Sequence, residues 1–173
     1  TEVGAFTSRT FTVDDGKGPP QTFRIALHHD GTEAEADAFA KDVERIVREA
    51  IPIYGALPRF DGGTYTFLCD YLPWANGDGM EHRNSTVLSS SGALRNPGQR
   101  AGILGTVAHE FFHAWNVERI RPKALEPFSF EEANMSGELW LAEGFTSYYG
   151  PLAMRRAELQ SDGLHEEASG PGD

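Results

Sequence analysis

Two hydrophobic periods alternate along this chain. Thr22 to His28 (TFRIALH) alternates, with Phe23, Ile25 and Leu27 at every second position, which predicts a β-strand. After the Asp30-Gly31 turn, Thr32 opens a helix, with Glu35 completing a capping box. Ala36, Phe39, Ala40, Val43, Ile46, Val47 and Ala50 then recur at intervals of three and four, a single buried stripe. Pro52 marks the expected end of that helix. Asp61-Gly62-Gly63 reads as a turn, Thr64 to Tyr71 (TYTFLCDY) as a second alternating strand, and Pro73 to Gly79 as a loop. Ser85 to Ser89 is short and mostly polar, which suits a sheet edge. Asn96-Pro97 supplies an N-cap and a proline at the first helical position. From Arg100 to Val117 the pattern is helical and apolar on nearly all sides, as expected of a helix deep in a domain. Residues 120 to 135 read as loop, broken by Pro122 and Pro127. Ser136 is placed to cap a last helix through Leu139, Trp140, Phe145 and Tyr148, which Gly150-Pro151 is expected to bend or interrupt.

Composition narrows the class without naming an activity. The 173 residues suit one domain, 39% apolar and 24% charged, so the chain is not mainly disordered. No apolar run approaches the length that spans a bilayer, and no charged-then-apolar leader opens the chain. It lacks an initiating Met, as expected of a processed form or an excised segment. The expectation is a soluble chain of unassigned compartment. Cys69 is the single cysteine, which excludes an internal disulfide. The net charge of −11 disfavours nucleic acid or an anionic membrane as partner. Residues 1–163 read as the folded unit and 164–173 as a frayed polar tail.

The chemistry concentrates in "TVAHEFFHAW", residues 106 to 115. On a helix, His109 and His113 lie on one face, one turn apart, and can point at one metal ion. Glu110 follows His109 and is placed to reach a water on that ion; this is the H-E-x-x-H pattern of zinc peptidases. A catalytic zinc keeps three protein ligands and an open position, so a third ligand is required. Glu143, a carboxylate inside the largely apolar "ELWLAEGFTSYY", is the best candidate, and Glu138 is its rival. The remaining imidazole nitrogens need acceptors, for which Asn116 and Glu138 are candidates. Tyr148 and Tyr149 are candidates for an oxyanion donor, although packing is the commoner role of such helix residues. Arg119 and Arg121 are expected in salt bridges with Glu131 or Glu132. Glu81, in a glycine-flanked loop just before the expected edge strand, is placed to bind the α-ammonium of a peptide lying along that edge.

"HEFFHAWNVERIRP", "LWLAEGFTSYY" and "GMEHRNS" together resemble the glycyl aminopeptidase family of gluzincin metallopeptidases, over about Leu57 to Leu159. The resemblance implies an α+β, thermolysin-like zincin catalytic domain: a small mixed sheet with an edge strand, followed by buried zinc-binding helices. It implies one zinc ion on His109, His113 and Glu143, with Glu110 as the catalytic acid/base. By likeness to the Gly-x-Met-Glu-Asn motif of other aminopeptidases, Gly79, Met80, Glu81 and His82 would bind substrate; His82 replaces the Asn. It implies peptide substrates with a free N-terminus and a small first residue, Gly or Ala. Longer relatives would add an N-terminal β domain, further helices and a PDZ-like part, so this chain resembles a partial catalytic domain. Glu118 stands where a basic residue is expected, and Gly150-Pro151 is a second departure. Two other readings accompany the aminopeptidase: an endopeptidase with the same zinc chemistry, and a zinc-binding segment with a binding or structural role and no turnover.

Overall fold

The computed structural model describes residues 4–127, 129, 131–133 and 135–160. The tail 164–173 lies outside them. Five strands form one mixed sheet: β1 (Thr7–Val13), β2 (Gln21–His29), β3 (Thr64–Tyr71), β4 (Asp78–His82) and β5 (Ser85–Ser90). Three helices accompany it: α1 (Glu33–Tyr54), α2 (Pro97–Phe112) and α3 (Leu139–Arg156). The strand order is β1-β2-β3-β5-β4. β2, β3 and β5 run parallel, and β1 and β4 pair antiparallel at the two margins.

The sheet buries one face. Phe23, Ile25 and Leu27 of β2, Tyr65, Phe67, Cys69 and Tyr71 of β3, and Leu88 of β5 sit in a single core with the stripe of α1 and with Ile103, Leu104, Val107, Ala108 and Phe111 of α2. Phe111 meets Phe23, Tyr65 and Phe67 edge-on or tilted, with ring centroids 5.2 to 5.8 Å apart. Packing against the sheet thus fixes α2, the helix that carries both histidines. Among the described residues no helix is long and apolar enough to cross a membrane.

The alternating strands, the Thr32–Glu35 capping box and the Asn96-Pro97 helix start fall as the pattern predicts. Several expectations fail for identifiable reasons. Pro52 lies inside α1, where it removes only a late-turn bond; the helix ends at Gly55, whose φ of 85° is the left-handed conformation glycine adopts freely. The short strand at Ser85 is interior, and the edge is β4, because the residues before it, Asp78 to His82, pair along its outer side. The loop read over Pro73 to Gly79 therefore ends two residues early, at Gly77, and Glu81 stands on a strand. α2 stops at Phe112, with His113 as its C-cap, short of Val117. Ser136 is not the cap of α3: the N-cap is Glu138, whose backbone N–H donates to the Ser136 hydroxyl. α3 runs through Gly150-Pro151 without interruption. β1 is the strand the pattern hides, because its inner face carries Arg9, paired with Glu33 and Asp37 of α1.

The turn after β1 is pinned by a buried carboxylate. Asp15 accepts from both Arg59 Nη2, at 2.7 and 2.8 Å, and the backbone N–H of Leu57. Burial works against its charge, but bonds from Arg59 and the N–H groups of Lys17 and Leu57 prevail and hold its pKa down at about 2. Since that lies below the unfolded value of about 3.9, its contribution is complete above about pH 4 and is lost as pH falls through about 2. Asp15→Asn is expected to cost about 1.5 to 3 kcal/mol at pH 7. In urea titrations the gap to the parent should close at acid pH; a gap that persists unchanged at pH 2 would remove the carboxylate from the account.

Candidate active site

α2 delivers its last turn to a tight reversal. Trp115 anchors that reversal, stacking on Tyr54 at 4.4 Å while its indole N–H donates to Ala56 O. Val117 holds a positive φ of 111°, rare for a β-branched residue. Its neighbour Asn116 is buried, and its side-chain amide donates to Leu141 O and Ala142 O at 3.1 and 2.8 Å and to Thr146 Oγ1 at 3.2 Å. One side chain thereby fastens the end of α2 to the first turns of α3. Further along, Gly150 lies against the backbone of His109, where a Cβ would come within 3.5 Å of His109 Cα and N. Glu143, Thr146 and Gly150 are spaced at three and four, so this close approach turns Glu143 towards the histidines.

The three donor groups converge. His109 Nε2 and His113 Nε2 are 3.3 Å apart. Glu143 brings one carboxylate oxygen within 3.3 Å of His109 Nε2 and the other within 3.7 Å of His113 Nε2. Tetrahedral ligands about 2.0 to 2.1 Å from a zinc ion stand roughly 3.3 to 3.4 Å from one another, so the set fits such an ion. The protonation pattern points the same way. His113 Nδ1 lies 2.9 Å from Asn116 O and donates to it in the tautomer that network requires, leaving the Nε2 lone pair facing the cluster. Burial, then the neighbouring His113, pushes the His109 pKa below the usual histidine range, so neutral imidazole is favoured there.

Glu110 stands beside this cluster and is 7% exposed. Its Oε2 has no hydrogen-bond partner among the described residues. Burial raises its pKa to about 7; His113 opposes the rise, while Glu81, Glu143 and Asp78 add to it. The edge strand lies across it. Gly79 and Glu81 take the inner positions of β4, and Glu81, Glu110 and His113 offer ligand atoms all within 4.8 Å of one another. Gly79 is tied to glycine by contact: a Cβ there would lie 2.6 Å from Glu110 Cδ and against Oε1.

Not every candidate residue arrives. Met80 and His82 occupy the outward positions of β4, Met80 being 52% exposed, so the strand alternation turns them from the cluster. Glu138 bonds with Ser136 at the start of α3 and supplies neither a ligand nor a histidine acceptor. Tyr148 is 66% exposed and packs its ring on Tyr149. Asn116 reaches His113, through its backbone carbonyl. Arg121 pairs with Glu118 and Glu126, and Arg119 donates to the carbonyls of Ala114 and Arg59 and lies over the Phe60 ring. The premise that Glu143 sits on a buried apolar face is also wrong. Trp140, Phe145 and Tyr148 point outward, and the Glu143 side chain is 48% exposed. Sequence reasoning missed Thr146, whose hydroxyl donates to Ala142 O at 2.6 Å and lies 3.4 Å from His113 Nδ1. A polar residue three positions after Glu143 was the available signal.

Asn116→Ala is expected to leave Leu141 and Ala142 carbonyls less well satisfied and to cost about 1 to 3 kcal/mol. Hydrogen exchange should quicken at α3 while the sheet core keeps its protection. Equal loosening of α2, α3 and the sheet would mean that Asn116 is not a local fastening.

A family model described as M61 glycyl aminopeptidase matches residues 102–168. No curated protein matches the sequence significantly. Among solved structures, a crystal structure of an aminopeptidase N family protein from Idiomarina loihiensis is similar, with a TM-score of 0.72 and 24% identity. The match covers 92% of this chain and 27% of that one, so the chain spans about a quarter of that protein's length. At this identity the likeness shows a shared fold. The family match includes His109, Glu110, His113 and Glu143, so it is the site-bearing segment, residues 102–168, that is similar to the M61 glycyl aminopeptidase family.

Proposed function

We propose that this chain is the zinc-binding part of a thermolysin-like peptidase that removes a small N-terminal residue, Gly or Ala, from peptides. The observation that carries the reading is the convergence of His109, His113 and Glu143 beside an unpartnered Glu110 carboxylate oxygen. The family match supports peptide hydrolysis in general.

A zinc ion held by His109, His113 and Glu143 would supply Lewis acidity to a bound water and to the substrate carbonyl. The remaining work belongs to side chains. Glu110, with a pKa near 7, is poised to accept a proton from water at its free Oε2 and to return it to the leaving amine. Asn116 O and Thr146 keep the His113 ring in one tautomer and orientation. Glu81, on the inner side of the edge strand, is within reach of the same space and would bind the α-ammonium of the first residue. β4 offers backbone groups to an extended peptide, which would lie along it as an added strand.

Glu110→Gln is expected to keep the fold and the metal while lowering turnover about 10² to 10⁴-fold in a chain that is active. Acetylating the substrate N-terminus should abolish cleavage, and Glu81→Gln should raise KM strongly for free peptides. The assay compares glycyl and alanyl peptides with their acetylated forms. Equal cleavage of free and blocked peptides would replace the aminopeptidase by an endopeptidase, and near-normal turnover by Glu110→Gln would remove Glu110 from the mechanism.

A further inference from the structure

Beside Glu110, a cleft of about 440 Å³ opens between the first half of α2 and the sheet margin. Gly79, Ser90, Gly92, Gln99, Gly102 and Thr106 are among its walls. Thr106 stands one helical turn before Glu110 and Gly102 one turn before Thr106, so the cleft and the candidate catalytic carboxylate share a face of α2.

Gly102 has no packing reason to be glycine. In a helix interior glycine costs about 0.5 to 1 kcal/mol relative to alanine. At Gly150 the backbone of His109 lies 3.5 Å from where a Cβ would be; at Gly102 a Cβ would meet nothing within 4 Å. Gly102 leaves its part of the cleft wall without a side chain. Among the described residues no Lys, Arg or His lines the cleft, whereas Asp78 does and Glu110 adjoins it through Gly79.

The direction of a bound peptide then assigns the cleft, on the reading that Glu81 binds the α-ammonium. Glu81 and Gly79 are the two inward positions of β4, and Gly79 touches Glu110. A peptide starting at Glu81 and cut beside Glu110 must run antiparallel to β4, advancing about 3.3 Å per residue. Its next residue arrives over Gly77 to Gly79, at the mouth of the cleft.

We propose that this cleft receives the side chain following the scissile bond, that Gly102 sets how large that side chain is, and that the acidic surroundings exclude carboxylates. The substrate class is thereby glycyl or alanyl peptides with an uncharged, sizeable second residue.

The test measures dissociation constants of Gly-Gln, Gly-Glu and Gly-Gly amides for the zinc-loaded chain, with kcat/KM in their place if they are turned over. Gly-Gln and Gly-Glu are nearly isosteric, so their ratio reads charge; Gly-Gln against Gly-Gly reads the cavity. Gly-Gln is expected to be favoured over Gly-Glu by on the order of fivefold. Gly102→Leu should bring the Gly-Gln to Gly-Gly ratio down to about one. Gly102→Ala controls for folding, and its thermal midpoint should equal or exceed the parent's. A folded Gly102→Leu chain that keeps the parent's Gly-Gln to Gly-Gly ratio, or a parent that favours Gly-Glu, would overturn the assignment and leave the peptidase reading standing. Binding in the expected order, with or without cleavage, would support the cleft. A folded, zinc-loaded chain that neither binds nor cleaves any of the three overturns both.

Discussion

The close crossing of α2 and α3 is the constraint on which the site depends. Gly150 allows the two backbones to approach at His109, and the Asn116 amide ties the end of α2 to Leu141, Ala142 and Thr146. A larger residue at 150 would push α3 outward and carry Glu143 away from the two imidazoles. The sheet sets the other side of the geometry. Phe111 is packed among Phe23, Tyr65 and Phe67, so α2 cannot roll without disrupting the core. Glu110 and Phe111 are adjacent on the helix, and holding the ring in the core directs the carboxylate to the edge strand.

The charge balance around Glu110 follows from the same arrangement. Four acidic groups, Asp78, Glu81, Glu110 and Glu143, are brought near two histidines, one of them 2% exposed. Without a cation this is an unfavourable assembly. His109 is driven towards its neutral form by burial and by His113, and Glu110 is driven towards its protonated form by burial and by its acidic neighbours. Such opposed shifts in one cleft are the usual mark of a functional site. A divalent cation between His109, His113 and Glu143 would relieve the repulsion and use the lone pairs that face one another.

Much of this was legible in the sequence wherever the cause is local. The capping box at Thr32, the alternation of Thr64 to Tyr71 and the one-turn spacing of His109 and His113 are near-neighbour effects, and each appears in the structure. Glu143 was legible as a position and misjudged as an environment, since α3 turns Trp140, Phe145 and Tyr148 to solvent. What stayed hidden depends on strands meeting out of chain order. The edge strand is β4 because the residues after it return between it and β3, a pairing no local pattern reveals. Prolines 52 and 151 failed as helix stops because each removes one backbone bond from a helix that tertiary packing already holds. Asn116 and Thr146 are ordinary polar residues until the two helices cross.

The most direct measurement is X-ray absorption spectroscopy at the zinc edge on the folded chain loaded with one equivalent of zinc, beside the Glu143→Ala variant. The account predicts one ion per chain, bound by two imidazole nitrogens and carboxylate or water oxygen at about 2.0 to 2.1 Å, with the carboxylate contribution lost in the variant. A folded chain that takes up no zinc under replete conditions, or a bound ion whose shell lacks two imidazoles, would contradict it.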